Sequence, residues 1–141
     1  MKRLEDARSW LEARLDLSYS LIRIYLGVAL LIRGALMLAD PSLITSLAGV
    51  QQVYLWYSYI IGAHLIGGLF LALGIFTRAA ALVQIPVVAG AIVFIHLGEG
   101  LMTVGQSLEL ASLVLFLLVV FSVFGTGPVT IGKLLGRSAT A

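Results

Sequence analysis

Residues 55–96 read LWYSYIIGAHLIGGLFLALGIFTRAAALVQIPVVAGAIVFIH, and this stretch decides the fold. It divides into two apolar segments, 55–75 and 79–96, on either side of the short sequence 76–78. A run of about 17–25 predominantly apolar residues is long enough to cross a bilayer as an α-helix. The stretch therefore predicts two transmembrane helices, and the tight turn between them makes them antiparallel neighbours.

Two further apolar segments flank this pair, at 19–38 and 108–124. The first is roughly 30 Å long at a rise of about 1.5 Å per residue, which matches the hydrocarbon core of a bilayer. The four segments together predict an all-α fold, an integral membrane four-helix up-down bundle over residues 19–124. A short N-terminal region, 1–18, precedes the predicted bundle, and a glycine-containing tail, 125–141, follows it.

The composition agrees with a membrane protein and excludes several other classes. Hydrophobic residues make up 60% of the chain and charged residues 11%, whereas a soluble domain carries about 25% charged residues. The mean hydropathy of +1.07 excludes an average soluble enzyme, a disordered linker and a nucleic-acid-binding protein. The sequence has no cysteine, which excludes disulfides, Cys-ligated zinc and iron–sulfur clusters.

The distribution of lysine and arginine predicts the orientation of the bundle. Basic residues lie before the first segment, in the central turn and after the fourth segment, at Lys2, Arg3, Arg8, Arg14, Arg78, Lys133 and Arg137. The two other connections, 39–54 and 97–107, contain neither lysine nor arginine. By the positive-inside rule, both termini and the central turn are cytoplasmic. The predicted location is a cell membrane of the bacterial inner-membrane type.

The N-terminal region leaves two interpretations open. Its apolar residues fall on one face of a helical wheel, at Leu4, Ala7, Leu11 and Leu15. This pattern is typical of an amphipathic helix lying in the cytoplasmic interface, and it also fits a short cytoplasmic extension of the first transmembrane helix. The residues predicted to anchor the chain at the membrane surfaces are Trp10, Arg23, Trp56 and Arg78. Arg23 is expected to snorkel, with its stem along lipid and its head in the interface.

Small residues predict where the helices pack closely. The first segment carries Gly27 and Gly34 on one face, which Arg23 shares because offsets of four and eleven residues return to the same side of a helix. The second segment carries small residues at small-xxx-small spacing, among them Gly67, Gly68 and Ala72. Such positions allow the close backbone approach on which helix association in lipid depends.

The run 64–82, HLIGGLFLALGIFTRAAAL, resembles the central signature of the DoxX family of small four-helix membrane proteins. The similarity extends to RIYLG at 23–27 and to the glycine-rich FGTGPVTIG at 124–132. The resemblance implies quinone-linked redox work, because the family includes subunits of a thiosulfate:quinone oxidoreductase. The chain departs from the family pattern at His64 and Gly132, where members commonly carry a glutamate and an aspartate. The chemistry of those acids is therefore not carried over to this chain.

Ionisable side chains inside a bilayer are costly to bury and mark candidate functional sites. Four lie in the outer half of the predicted bundle, one on each helix: Arg33, His64, His96 and Glu109. They predict a polar pocket for a quinone headgroup. Histidine exchanges protons near neutral pH, and the positive charge of arginine can stabilise a negative charge on the bound ring.

Structural interpretations of the same residues remain open. Arg33 and Glu109 could form a buried ion pair. His64 could be only an interhelical hydrogen-bond donor, and His96 could lie in headgroup water. Gln84 is predicted to form an interhelical hydrogen bond.

The sequence thus predicts a quinone-associated subunit of a membrane redox system, with a partner protein delivering the electrons. Haem is not indicated, because the two histidines differ in estimated depth by about 10 Å or more, too far for axial ligation of one haem. No nucleotide-binding motif and no metal site is recognisable. The alternative is a non-catalytic structural or assembly subunit of a larger membrane complex. Catalytic activity of the chain itself, and the choice between a partner subunit and a homo-oligomer, are left open.

Overall fold

The computed structural model describes residues 2–12, 14–40, 42, 54–102 and 105–130. These residues form helices and connecting turns, with no strand among them. The helices are Lys2–Glu12, Leu15–Ala39, Tyr54–Gly62, Gly68–Leu73, Thr77–Ala91, Leu97–Glu99 and Ser107–Phe124, together with π-helical segments at Ala63–Gly67 and Ile92–His96. The predicted all-α fold is therefore confirmed.

Within the described residues, four helical stretches are long and apolar enough to cross a membrane. We call them spans 1 to 4, and they cover Asp16–Ala39, Trp56–Leu73, Thr77–His96 and Ser107–Phe124. A chain with four such spans is a multi-pass membrane protein in a lipid bilayer. We call the end of the bundle where spans 2 and 3 connect the Arg78 end, and the end where spans 3 and 4 connect the Glu109 end. Which end is cytoplasmic stays a prediction.

The spans pack in the order of the sequence: span 1 on span 2, span 2 on span 3, and span 3 on span 4. One apolar core joins residues of all four spans, at Leu26, Leu30, Leu71, Ala80, Ala81, Val88, Leu118 and Phe121. Between 17% and 33% of each span is buried inside the protein, with span 4 the least buried. Most of the helical surface therefore faces lipid, as expected of a small bundle that carries apolar residues all round.

Spans 1 and 2 approach closely at small residues. A Cβ atom added at Gly27 would lie 2.7 Å from the carbonyl oxygen of Gly68 and 2.7 Å from the Cα atom of Ala72. One added at Gly34 would lie 2.9 Å from the Cβ atom of His64. No real Cβ could occupy these positions without moving a backbone, so glycine is what permits the contact. The same contacts fix which side of span 2 faces span 1.

The turn between spans 2 and 3 lies slightly earlier than predicted. Gly74 ends span 2 in the left-handed conformation, with φ of +73°, which glycine adopts without the strain of a Cβ atom. Its N–H donates to the Leu71 carbonyl, and the Ile75 N–H donates to the Phe70 carbonyl. Span 3 then begins at Thr77, so residues 77 and 78, predicted to belong to the turn, form the first turn of the helix instead.

The N-terminal region contains the helix Lys2–Glu12, separate from the helix that forms span 1. Of the predicted apolar face, the side chains of Leu4, Ala7 and Leu15 lie outside the described part of the structure. Leu11 and Trp10 are both exposed, and the Arg14 guanidinium lies 4.1 Å from the centre of a Trp10 ring. Placement of this helix in the interface stays a prediction.

Candidate functional site

Both histidines of the chain lie in π-helical segments. His64 belongs to the segment Ala63–Gly67 in span 2, and His96 ends the segment Ile92–His96 in span 3. Such segments are rare and occur frequently at functional sites, because the wider turn reorients side chains and backbone carbonyls. Both rings are buried. The residue pattern does not distinguish a π-helical turn from an α-helical one, so these segments could not be predicted from the sequence.

His64 faces span 1. Its Cβ atom packs against Gly34, the residue that follows Arg33. Its Nδ1 atom is 2.9 Å from the carbonyl oxygen of Ile60. Because a carbonyl oxygen only accepts hydrogen bonds, Nδ1 carries the hydrogen, and Nε2 of the neutral ring is an acceptor. The ring is therefore held in one tautomer by the backbone of its own helix.

The structure contradicts the prediction that Gln84 forms an interhelical hydrogen bond. Gln84 is fully buried in span 3, yet neither its Nε2 nor its Oε1 atom has a hydrogen-bond partner, so the predicted interhelical hydrogen bond is absent. The amide packs on the span 2 backbone instead: a Cβ atom added at Gly67 would lie 2.8 Å from Nε2. A buried amide without a partner has lost its hydration with no compensation.

A lipid-facing groove of about 390 Å³ runs between spans 2 and 3. Its walls are almost entirely apolar and rich in glycine and alanine, from Tyr59, Gly62, Ala63, Ile66, Gly67, Phe70, Phe76, Ala79, Ala80 and Val83. The Tyr59 hydroxyl donates to the Val83 carbonyl at 2.7 Å, which ties the two spans together beside the groove. Towards the Arg78 end, the rings of Phe70 and Phe76 lie 6.4 Å apart.

The groove was not predicted, although its small residues are visible in the sequence. Gly62, Ala63 and Gly67 in span 2 face Ala79 and Ala80 in span 3 across it. Small residues on two facing helices can allow close packing or leave a gap, and only the positions of the backbones decide between these outcomes. Here spans 2 and 3 contact each other through Gln84 and through Tyr59. The groove lies between the two spans beside these contacts.

The four predicted pocket residues do not line this groove. His64 lies in a segment packed against spans 1 and 3, whereas the segment of His96 packs against span 4. Arg33 is exposed on span 1. His96 is buried within the protein, so the interpretation that it lies in headgroup water is wrong. His96 also has an interaction within the protein.

The predicted Arg33–Glu109 ion pair does not form between these two described residues. The Glu109 Oε1 atom instead accepts a hydrogen bond of 2.6 Å from the backbone N–H of Met102. The connection before span 4 turns back at Gln106, whose φ is +45°, and this brings Met102 over the first turn of the span. A single backbone donor of the preceding connection, the Met102 N–H, therefore takes the place that Arg33 was predicted to occupy.

Arg23 is not an interfacial anchor, because its side chain is 1% exposed. Its Nη1 atom donates to the carbonyl oxygens of Leu71 and Ala72, and its Nη2 atom donates to the Val129 carbonyl at 2.6 Å. The carbonyls at the C-terminal end of a helix carry partial negative charge, so a cation is favourable there. The end of span 2 therefore attracts the guanidinium away from the lipid interface.

The tail after span 4 completes this arrangement. The Tyr19 hydroxyl donates to the Gly125 carbonyl at 2.9 Å, and the Val129 N–H donates to the Ser20 hydroxyl at 3.3 Å. Tyr19 also packs edge-on against Phe121 of span 4, with ring centres 5.0 Å apart. We call residues 125–130 the clasp, because they join span 1 to span 4 at the Arg78 end. The clasp is therefore tied to span 1 by three hydrogen bonds, those of Tyr19, Ser20 and Arg23.

The remaining predicted anchors, Trp10, Trp56 and Arg78, are exposed near the ends of their helices. These positions are compatible with interfacial anchoring, which stays a prediction.

Comparison with known proteins adds one finding. The sequence model of the DoxX family matches residues 18–97, which contain spans 2 and 3 with the groove and nearly all of span 1. No curated protein and no solved structure matches the chain.

Proposed function

This chain belongs to the DoxX family of membrane proteins, and on that premise we propose that it is a quinone-associated subunit of a membrane redox system. The quinone binds from the bilayer into the groove between spans 2 and 3. The proposed location is a bacterial-type inner membrane, with the Arg78 end cytoplasmic, as the lysine and arginine distribution predicts.

The observation that carries this proposal is the combination of an apolar, lipid-facing groove with unpaired polar atoms directly behind its wall. A quinone has an apolar body and two carbonyl oxygens, so its site needs an apolar slot and a few hydrogen-bonding groups. The groove volume of about 390 Å³ falls in the range of roughly 300–1,000 Å³ for small-molecule sites. Gly67 lines the groove and also contacts the Gln84 amide.

A quinone, when bound, accepts electrons and protons, and span 2 carries one proton-exchanging side chain, His64. It lies three residues before Gly67 in the same π-helical segment, with its ring on the side of span 1 and outside the groove lining. Imidazole exchanges protons near neutral pH, and the hydrogen bond to Ile60 leaves Nε2 as the atom that takes up a proton. The chain has no cysteine to hold an iron–sulfur cluster, so in this proposal a partner protein delivers the electrons.

The test fills the groove without disturbing the fold. A Cβ atom at Gly62 meets no other atom within 4 Å, so Gly62→Leu places a side chain in the groove without a backbone clash. Gly90→Leu is the matched control, because Gly90 lies in span 3 outside the groove and its added Cβ meets only Phe94, at 4.0 Å. The measurement is the quinone extracted per protein after purification in mild detergent.

We expect about one quinone per protein in the parent and in Gly90→Leu, and at least a fivefold loss in Gly62→Leu. Equal quinone content in the two variants would place the quinone outside the groove. A parent without quinone that retains a stoichiometric partner protein would favour the alternative of a structural or assembly subunit.

A further inference from the structure

The Gln84 amide packs against Gly67, a residue of span 2 that lines the groove. A Cβ atom added at Gly67 would lie 2.8 Å from Nε2 and 3.2 Å from Cδ. Ala80, another residue of the groove wall, lies one helical turn before Gln84 on span 3. The amide therefore lies directly behind the groove wall at Gly67, a residue with no side chain to come between them.

The amide is also fully desolvated and unpaired. Its residue is 0% exposed, and neither Nε2 nor Oε1 has a partner. Ala80, Ala81 and Val88, the core residues about one helical turn from Gln84 on span 3, offer no polar side chain. In a bilayer no bulk water compensates for this loss. A bound molecule that supplied a hydrogen-bonding oxygen would recover the lost interactions.

We infer that Gln84 is the residue that selects the ligand of the groove, by hydrogen-bonding the oxygen-bearing end of a quinone. The inference rests on the proposed function. Nε2 donates to a carbonyl oxygen of the oxidised ring, and Oε1 accepts from a hydroxyl of the reduced ring. One side chain therefore serves both redox forms without changing its own protonation.

The same amide disfavours ordinary lipid in the groove. An acyl chain fits an apolar slot by shape, but it leaves both amide atoms unpaired. A site built to hydrogen-bond a polar group discriminates strongly against a ligand that lacks it, because its own buried groups stay unsatisfied. Gln84 thus provides selectivity that the alanine and glycine walls cannot provide.

The experiment compares two ligands and three forms of the full-length protein. The ligands are a short-chain benzoquinone and an alkylbenzene of matched size, titrated into protein stripped of lipid in detergent. The proteins are the parent, Gln84→Met, and Leu82→Met as a lipid-facing control in the same span. Methionine keeps the length of glutamine and removes its hydrogen bonding. The readouts are the dissociation constant of each ligand and the melting temperature without ligand.

We expect the parent and Leu82→Met to bind the quinone at least tenfold more tightly than the alkylbenzene, and Gln84→Met to bind both about equally. The ligand-free melting temperature of Gln84→Met should equal or exceed that of the parent, because the variant removes an unpaired buried amide. A melting temperature below the parent, with the quinone preference intact, would show a purely structural glutamine and overturn the inference.

The outcome for Gly62→Leu separates the two proposals. If Gly62→Leu abolishes quinone binding and Gln84→Met keeps the preference, the groove proposal stands and the inference on Gln84 fails. If the parent does not bind the quinone, or Gly62→Leu binds it as the parent does, both fail.

Discussion

Gly27 of span 1 and Gly68 of span 2 face each other so closely that each excludes a side chain from the other. A Cβ atom at Gly27 would lie 2.7 Å from the Gly68 carbonyl oxygen, and one at Gly68 would lie 2.9 Å from the Gly27 carbonyl oxygen. This reciprocal contact sets the distance between the two spans. It also sets the position of His64, which lies one turn before Gly68 and packs against the same span.

The first prediction concerns this contact. Gly68→Ala should destabilise the protein by about 1–3 kcal/mol, because the added methyl group forces the two backbones apart. Gly62→Ala is the control, since its Cβ meets nothing within 4 Å and alanine favours a helix over glycine. Melting temperatures in detergent should fall for Gly68→Ala only. A fall of equal size in both variants would contradict close packing at Gly68.

The second prediction concerns Arg23. Arg23→Lys keeps the charge but cannot reach the carbonyls of span 2 and of Val129 together, because an ammonium group lacks the spread of a guanidinium. We expect a loss of about 1.5–3 kcal/mol, the range for a hydrogen bond to a charged group. Proteolysis after Val129 should become faster. Arg33→Lys, on an exposed residue of the same span, should change stability by less than about 0.5 kcal/mol. Similar behaviour of the two variants would argue against the clasp.

The third prediction concerns Arg33 and Glu109. The Glu109 carboxylate accepts from the Met102 backbone, so Arg33 and Glu109 should act independently. In a double-mutant cycle with Arg33→Met and Glu109→Gln, we expect a coupling energy below about 0.5 kcal/mol. Breaking a buried ion pair from one side typically costs about 3–5 kcal/mol. A coupling of that size would require a contact that the structure does not contain.

The fourth prediction concerns orientation. Lysine and arginine cluster at the Arg78 end, so a reporter fused after Ala141 should be active if it functions in the cytoplasm and inactive if it requires export. The reciprocal fusion, within the connection between spans 3 and 4, should give the opposite result. Activity of the exported reporter after Ala141 would contradict the predicted orientation.

The spans could be predicted from the sequence because crossing a bilayer requires a fixed length of apolar helix, which hydropathy alone reveals. Rotation of each span about its axis is harder to predict. Arg23 was assigned to the interface from its depth, although it shares a helix face with Gly27 and Gly34. That shared face was the available signal that Arg23 points towards span 2.

The site was less predictable than the fold, since it depends on what each polar atom meets. Gln84 was expected to hydrogen-bond across helices, yet its neighbour on span 2 is Gly67, which has no side chain to pair with the amide. Glu109 was expected to face Arg33, but a turn at Gln106 supplies a backbone donor first. The spacing of residues in the sequence does not show which of several donors will pair with a given acceptor.

The Arg23–Val129 hydrogen bond joins residues 106 positions apart, and this separation has a consequence for biosynthesis. Span 1 enters the membrane with its arginine long before the ribosome has made Val129, so the nascent chain carries an incompletely paired charge in its first helix. The hydrogen bond from Nη2 to Val129 forms only when span 4 and the clasp arrive. A chain interrupted before residue 129 therefore lacks one of the acceptors that pair with Arg23 in the folded bundle.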